Sequence, residues 1–181
     1  ANSTIISPHL IRMSGSNNFY CISYGVSSTT AGRYGKMALI KILDAGTIND
    51  LSKKDMAFEP FVCLESYVIL VADEVYAIVY RSVSGDGMIK TIKLKNEGLI
   101  QQNPILDIAE IGGLKCYTTD EALTSDGRYV VNIYQGLDAQ VIVKTVSVNT
   151  TSKTIATTFT DSLIIEKGYL SSDGSFNASY A

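Results

Sequence analysis

His9 is the chain's one histidine, so its count excludes multi-histidine metal sites and leaves a single candidate general base. It follows Pro8 at the start of an expected strand, a place that suits a surface or rim residue better than a catalytic one. Asp73, Asp86, Asp126 and Asp173 stand beside expected turns. None of them reaches the Asp-x-Asp-x-Asp-Gly density of a Ca²⁺ cage, so they are read as turn formers. Glycoside hydrolysis needs two carboxyl groups about 5 to 10 Å apart. Asp73-Glu74 and Asp120-Glu121 are adjacent in sequence, which on a strand points them to opposite faces. Cys21, Cys63 and Cys116 have neither CxxC spacing nor a nearby histidine. Cys63 lies ten positions before Asp73 and Cys116 ten before Asp126, which marks both as equivalent, small buried side chains. No GxSxG elbow, P-loop or dinucleotide fingerprint occurs, and Gly85-Asp86-Gly87 is read as a hairpin turn. These residues point to no catalytic set, no metal and no cofactor, and so to a protein that is not an enzyme.

Tyrosine is the remaining chemical signal, with eleven against five phenylalanines and no tryptophan. Tyr24, Tyr80, Tyr134 and Tyr180 recur at intervals of 56, 54 and 46 positions and are expected to pack within a repeated unit. Tyr34, Tyr67, Tyr117 and Tyr169 fall outside that pattern and could form an aromatic platform for sugars. Arg33 and Tyr34 sit in a stretch from Gly25 to Gly35 that is longer than its counterpart in the second repeat. Such loops are where a rigid β scaffold places its contacts, so this pair is a candidate binding site.

The elements that must hold these residues are β-strands. A period near fifty residues belongs to repeat architectures, and each repeat divides by alternation and turn chemistry into four short strands. In the second repeat these are expected at Tyr67 to Ala72, Val75 to Arg81, Met88 to Lys95 and Ile105 to Ile111. Tyr76, Ile78 and Tyr80 alternate with Ala77 and Val79, so the second strand has two apolar faces and should lie between neighbouring sheets. Lys90, Lys93 and Lys95 are expected on a strand that meets solvent. Thr47 to Phe58 is the one stretch that could be helical. The fold class is therefore all-β and β-propeller-like. Three full repeats, over about 8–60, 61–115 and 116–165, are followed by a partial one at 166–181. The partial repeat leaves an edge at Phe176, Ala178 and Tyr180. The segment from Ser3 to Ser7, with Ile5 and Ile6, is the natural candidate to pair with it, within one chain or between two.

A net charge of −3 with scattered Lys and Arg gives no footprint for nucleic acid. No uninterrupted apolar run approaches the roughly 18 residues of a membrane helix. The first residue is Ala, as expected after removal of a targeting segment or cutting of the chain. Sequons at Asn2, Asn149 and Asn177, with abundant Ser, Thr, Gly and Tyr, suit a glycosylated extracellular or cell-surface location.

The wording of residues 73 to 100, turn-x-Tyr-Ala-Ile-x-Tyr-Arg followed by Gly-Asp-Gly-x-Ile-Lys-Thr-Ile-x-Leu and Gly-x-Ile, resembles propeller-type repeats of large secreted and cell-surface proteins in methanogenic archaea and some bacteria. The third repeat departs from it, with Asn132 in an apolar place and Gly136-Leu137-Asp138 at the turn, and the first departs further. That family has no agreed activity, so the resemblance implies architecture and location and carries over no catalytic residue. The expected function is that of an extracellular structural or interaction protein with a protein partner or with itself. The alternative is a propeller module that binds carbohydrate.

Overall fold

The computed structural model describes residues 3–15, 18–28, 32–50, 55–61, 63–95, 99–112, 117–135, 140–149, 151–152, 154–156, 160–167, 169–170 and 176–177. These residues form an all-β chain with three antiparallel sheets in sequence order. The first holds β1 (Ser3–Arg12), β2 (Phe19–Ser28) and β3 (Gly32–Ile42), with β4 (Ile48–Asp50) and β5 (Met56–Glu59) both on the far side of β3. Ile42 pairs with Ile48 and Met37 with Met56, so β4 and β5 share the edge of β3 as one interrupted outer strand. The second sheet is the meander β6 (Ser66–Ala72), β7 (Val75–Arg81), β8 (Gly87–Lys95) and β9 (Leu99–Gly112). The third contains β10 (Tyr117–Leu123), β11 (Tyr129–Gln135) and β12 (Gln140–Asn149), with β13 (Thr154–Ile155) and β14 (Asp161–Lys167) dividing the outer edge as in the first. A short ladder of β15 (Tyr169–Leu170) and β16 (Phe176–Asn177) follows. Among the described residues no helix is long and apolar enough to cross a membrane.

Turn chemistry sets the hairpins. Gly85 at φ 91° and Gly127 at φ 71° supply the left-handed backbone that their turns require. At the β6–β7 turn the same conformation falls on Glu74, at φ 57°. The Ser14 hydroxyl accepts its N–H at 3.4 Å, and Lys93 lies 3.6 Å from its carboxylate. Asp126 accepts from the Thr124 hydroxyl at 2.6 Å and from the Arg128 N–H at 3.1 Å, and Asp86 accepts from the Ser84 hydroxyl. The turn reading agrees with the bonding of Asp86 and Asp126, whereas Asp73 accepts from the Ser14 hydroxyl of the preceding sheet at 3.2 Å and Asp173 lies outside the described residues.

The sheets pack face to face in one sense. Each has a front, which in the second sheet carries Tyr76, Ile78, Tyr80, Lys90, Ile92 and Leu94, and a back, which there carries Ala77, Val79 and Ile89. The front of the second sheet meets the back of the first, where Cys21, Met37, Leu39 and Phe58 complete one core. The back of the second sheet meets the front of the third, where Val130, Val146 and Val148, with Ile155, complete the other. The second sheet is thus buried on both sides along β7, whose first six residues, Val75 to Tyr80, are at most 1% exposed, while Ile105, Leu106 and Ile108 on the outer strand β9 stay exposed. Burying each large side chain contributes about 1.5–3 kcal/mol. Three backbone-anchored polar contacts align the stack. Val68 N–H donates to His9 Nδ1 at 3.2 Å, Ser14 N–H donates to the Tyr76 hydroxyl at 2.9 Å, and Ile155 N–H donates to Asp107 Oδ2 at 2.7 Å.

Four expectations need correction. Gly25 to Gly35 is not one long loop, because Gly25 through Ser28 pair with Gly32 through Gly35 as parts of β2 and β3, with 29–31 outside the described residues. The glycines are there for close approach. A Cβ on Gly35 would stand 2.5 Å from the Phe58 ring, and one on Gly25 would stand 2.6 Å from the Cys63 carbonyl oxygen. Lys90 does not meet solvent. It is 6% exposed, since it shares a face with Ile92 and Leu94. The Thr47 to Phe58 stretch supplies β4 and β5 rather than helix, with 51–54 outside the described residues. Finally, among the described residues Ser3 to Ile6 pair with β2 and not with the edge at Phe176, which pairs with Leu170. They extend β1 along β2, with Ile5 opposite Val26 and Ile6 opposite Gly25, beyond a register shift at Ser7 and Pro8.

Candidate functional site

Two features stand out once the sheets are in place, a buried polar cluster between the first two and an open face at each end of the stack. The cluster forms because β5 ends with Phe58-Glu59 against the front of the second sheet, where β7 brings Tyr80 and β8 brings Lys90. Glu59 Oε2 accepts from the Tyr80 hydroxyl at 2.7 Å and from Lys90 Nζ at 3.0 Å, and Oε1 accepts from Phe61 N–H at 3.1 Å. Lys90 Nζ also donates to the Phe58 carbonyl at 2.6 Å and stands 5.0 Å from the Tyr80 ring centroid. The Phe58 and Tyr80 rings meet edge-on at 5.4 Å.

Burial pushes Glu59 toward protonation, but the donors Tyr80, Lys90 and Phe61 N–H outweigh it and hold the carboxyl below its ordinary value. Tyr80 is pushed up by burial and by its bond to the carboxylate. Burial, assisted by the Glu59 charge, raises the Cys63 thiol to about 12, and burial also raises Cys21. Both thiols are therefore protonated and poor nucleophiles at neutral pH. With its carboxylate satisfied on both oxygens and its cation shared between two acceptors, the cluster is a structural clamp between sheets. It presents no reactive group to a substrate.

The open faces follow from stacking three sheets. On the front of the first sheet Ile5, Leu10 and Ile48 are 54, 52 and 63% exposed, beside half-buried Tyr20, Ile22, Tyr24 and Ile40. Tyr24 lies opposite Lys36, which is paired with Asp55, and burial raises its hydroxyl. On the back of the third sheet Ile133 and Leu163 are 44 and 62% exposed, joined through Val143 in one cross-strand row. A shallow depression lined by Arg128, Tyr129, Ser147, Val148 and Asn149 lies at the end of that face.

The residues singled out from the sequence are dispersed. Arg33 is exposed on β3, and Tyr34 is half-buried there under Lys36, 5.8 Å from its ring centre. Tyr67 is half-buried on β6, with its ring 5.2 Å from that of His9. Tyr117 lies on β10 opposite Gln135, and Tyr169 lies on β15 opposite Asn177. Arg33 and Tyr34 are consecutive on β3 and so face opposite sides of the first sheet, and neither is joined to Tyr67, Tyr117 or Tyr169 in one described site. Phe176 is on β16, paired with Leu170, whereas Ala178, Tyr180, Asn2 and Cys116 lie outside the described residues. Asn149 is exposed, and its Oδ1 accepts from the N–H groups of Thr151 and Ser152, both at 3.0 Å.

Glu59 and Lys90 were not among the sequence candidates. The available signal was parity, because Lys90 alternates with Ile92 and Leu94 and lies cross-strand from Ile78. No comparable signal marks Glu59, since its partners come from another sheet.

By fold, the chain is an all-β array of stacked antiparallel sheets. No family model and no curated protein matches it. Its fold is similar to the crystal structure of Sqt1 from Chaetomium thermophilum, with a TM-score of 0.52 and 12% identity over 93% of this chain. The match spans 40% of that protein, and at this identity the likeness concerns fold alone.

Proposed function

We propose that the protein is a non-enzymatic structural or interaction protein of the extracellular space or cell surface, a propeller-like repeat array that works through contacts of its sheets. The uncovered apolar faces at the two ends of the stack carry this reading. Exposed apolar surface of this kind marks an interaction site, whereas singly scattered residues do not. The sequons and the polar, tyrosine-rich composition support the location, and exposed Asn149 is the described position that suits a sugar. Sedimentation velocity over a concentration series tests the function. The mass should rise above the 19.6 kDa of one chain as concentration increases, and a monomer throughout would contradict self-assembly.

The second reading, a carbohydrate-binding propeller module, is favoured by Tyr20, Tyr24 and Tyr34 lying half-buried on or beside the open face of the first sheet. Tyrosines can offer sugars an apolar ring with a polar tip. A glycan array on unassociated protein separates the two readings. Sugar binding that is lost with Tyr24→Ala and Tyr34→Ala would favour this one.

A further inference from the structure

We infer that His9 is a pH-sensitive clasp between the first two sheets, closed while its imidazole is neutral and released when mild acid protonates it. An irregularity in β1 builds the geometry. The register between β1 and β2 shifts between Ile6 and His9, where Ser7 takes a left-handed backbone at φ 43° ahead of Pro8. Such a bulge re-aims the side chains beside it. His9 resumes the pairing opposite Ser23, two residues along β2 from Cys21, and so lies half-buried on the back of the first sheet, toward the second. There β6 is an edge strand with β7 as its one partner, and His9 Nδ1 accepts the Val68 N–H at 3.2 Å. Beside this bond the Ser23 hydroxyl donates to the Ser66 carbonyl at 3.4 Å, and the Tyr67 ring stands 5.2 Å from the imidazole.

The chemistry follows from the accepting atom. Nδ1 can take a backbone N–H only while it is bare, which puts the imidazole proton on Nε2. An imidazolium carries a proton on both nitrogens, so the Val68 N–H would then face another donor. Imidazole ordinarily takes its second proton at about pH 6.5, and histidine is the side chain whose ordinary range lies between about pH 5 and 8. On β6 the one titratable side chain is Tyr67, and on β2 the titratable group sharing the face of His9 is Cys21, whose thiol is pushed up by burial. Phenol and thiol are both uncharged in this range. Beyond β6, Asp73 accepts from the Ser14 hydroxyl and Glu74 pairs with Lys93. Glu65, just before β6, is the carboxylate that could hold the cation instead, and bonding retained in acid would report it. Elsewhere the sheets stay joined. Glu59, held below its ordinary 4.5, keeps its charge for Lys90 through this range, and Ser14 N–H keeps the Tyr76 hydroxyl. Since β1 and β5 lie at opposite edges of the first sheet, mild acid loosens one edge while the other holds.

Amide exchange and imidazole titration, followed together by NMR on the full chain between about pH 7.5 and 5, test the inference. Protection of the Val68 N–H, corrected for intrinsic exchange, should fall about five- to tenfold in step with protonation of the His9 ring, while Ser14 N–H keeps its protection. His9→Asn places a carbonyl oxygen where Nδ1 stands, an acceptor that does not titrate, and should hold Val68 protected across the range. The midpoint of urea unfolding should also fall more steeply with acid for the unaltered chain than for His9→Asn, because the unfolded imidazole takes its proton freely while the clasped one must give up its bond. Val68 protection that ignores the ring's protonation, or that falls equally in His9→Asn, would overturn the clasp. Should His9→Asn not fold, the two titrations of the unaltered chain decide alone. These readouts are made on one chain at a time, so the clasp and the assembly reading stand or fall separately.

Discussion

Lys90→Met would leave the Glu59 carboxylate buried between the first two sheets with Tyr80 and the Phe61 N–H but without its cation. Removing one partner of a buried pair costs about 3–5 kcal/mol, so chemical unfolding should show a loss of that order. Glu59→Leu combined with Lys90→Met should recover much of it, because no lone charge then remains. A double variant no more stable than Lys90→Met would reject the pair as the cause. The pH dependence follows from the lowered carboxyl of Glu59. Its contribution is fully present above the ordinary value of 4.5 and is lost as pH falls through the lower folded value. The stability gap between the unaltered chain and Glu59→Gln should therefore narrow in that acid window, and a gap that is constant with pH would contradict it. At the other end, the raised Cys63 thiol contributes stability below about 9 that is lost as pH rises toward about 12. Native Cys63 should resist iodoacetamide near pH 8 and react only on unfolding. The burial of Cys63 was legible from its repeat position. Lys90 was misread because charge was weighed above parity, whereas the face a residue occupies is set by its place along the strand.

At the scale of elements, the β2–β3 hairpin shows how glycine can mislead. A Gly-rich stretch reads as a flexible loop, yet Gly25 and Gly35 are paired strand residues that admit the Cys63 backbone and the Phe58 ring to the sheet surface. Nothing local in the sequence reports that approach, because the intruding groups arrive from β5 and from the segment that follows it. Gly35→Ala should therefore destabilise the chain by about 1–3 kcal/mol through overpacking, and Phe58→Leu should relieve part of the cost in a double-mutant cycle. Strict additivity of the two changes would show that the ring is not the obstacle. The contact between the second and third sheets makes a separate prediction. Asp107→Ala leaves Ile155 N–H, in a residue 4% exposed, without its acceptor and should cost about 1–3 kcal/mol. Hydrogen exchange should accelerate at Ile155 first, and unchanged exchange there would contradict the clamp. The first three strands of the second sheet, by contrast, were legible to within a residue, whereas the fourth, expected at Ile105 to Ile111, runs from Leu99 to Gly112. Val75 to Arg81 is apolar on both faces and bounded by turns, which leaves one arrangement that buries it.

For the whole molecule, Tyr24, Tyr80 and Tyr134 made the succession of three sheets readable, since each lies on the second strand of its sheet, whereas Tyr180 lies outside the described residues. The sense of stacking was not readable, because it depends on which face of each sheet meets its neighbour. The open ends follow from that sense. A middle sheet covered on both sides leaves its two neighbours each covered on one. The most direct test is residue-resolved carbene footprinting of the unaltered chain in dilute and in concentrated solution. Leu10, Ile48, Ile133 and Leu163 should label in dilute protein and lose label together on concentration, while Val79 and Ile89, both 0% exposed, stay unlabelled throughout. Labelling of Val79 and Ile89 in the native chain, or terminal faces whose labelling ignores concentration, would contradict the account.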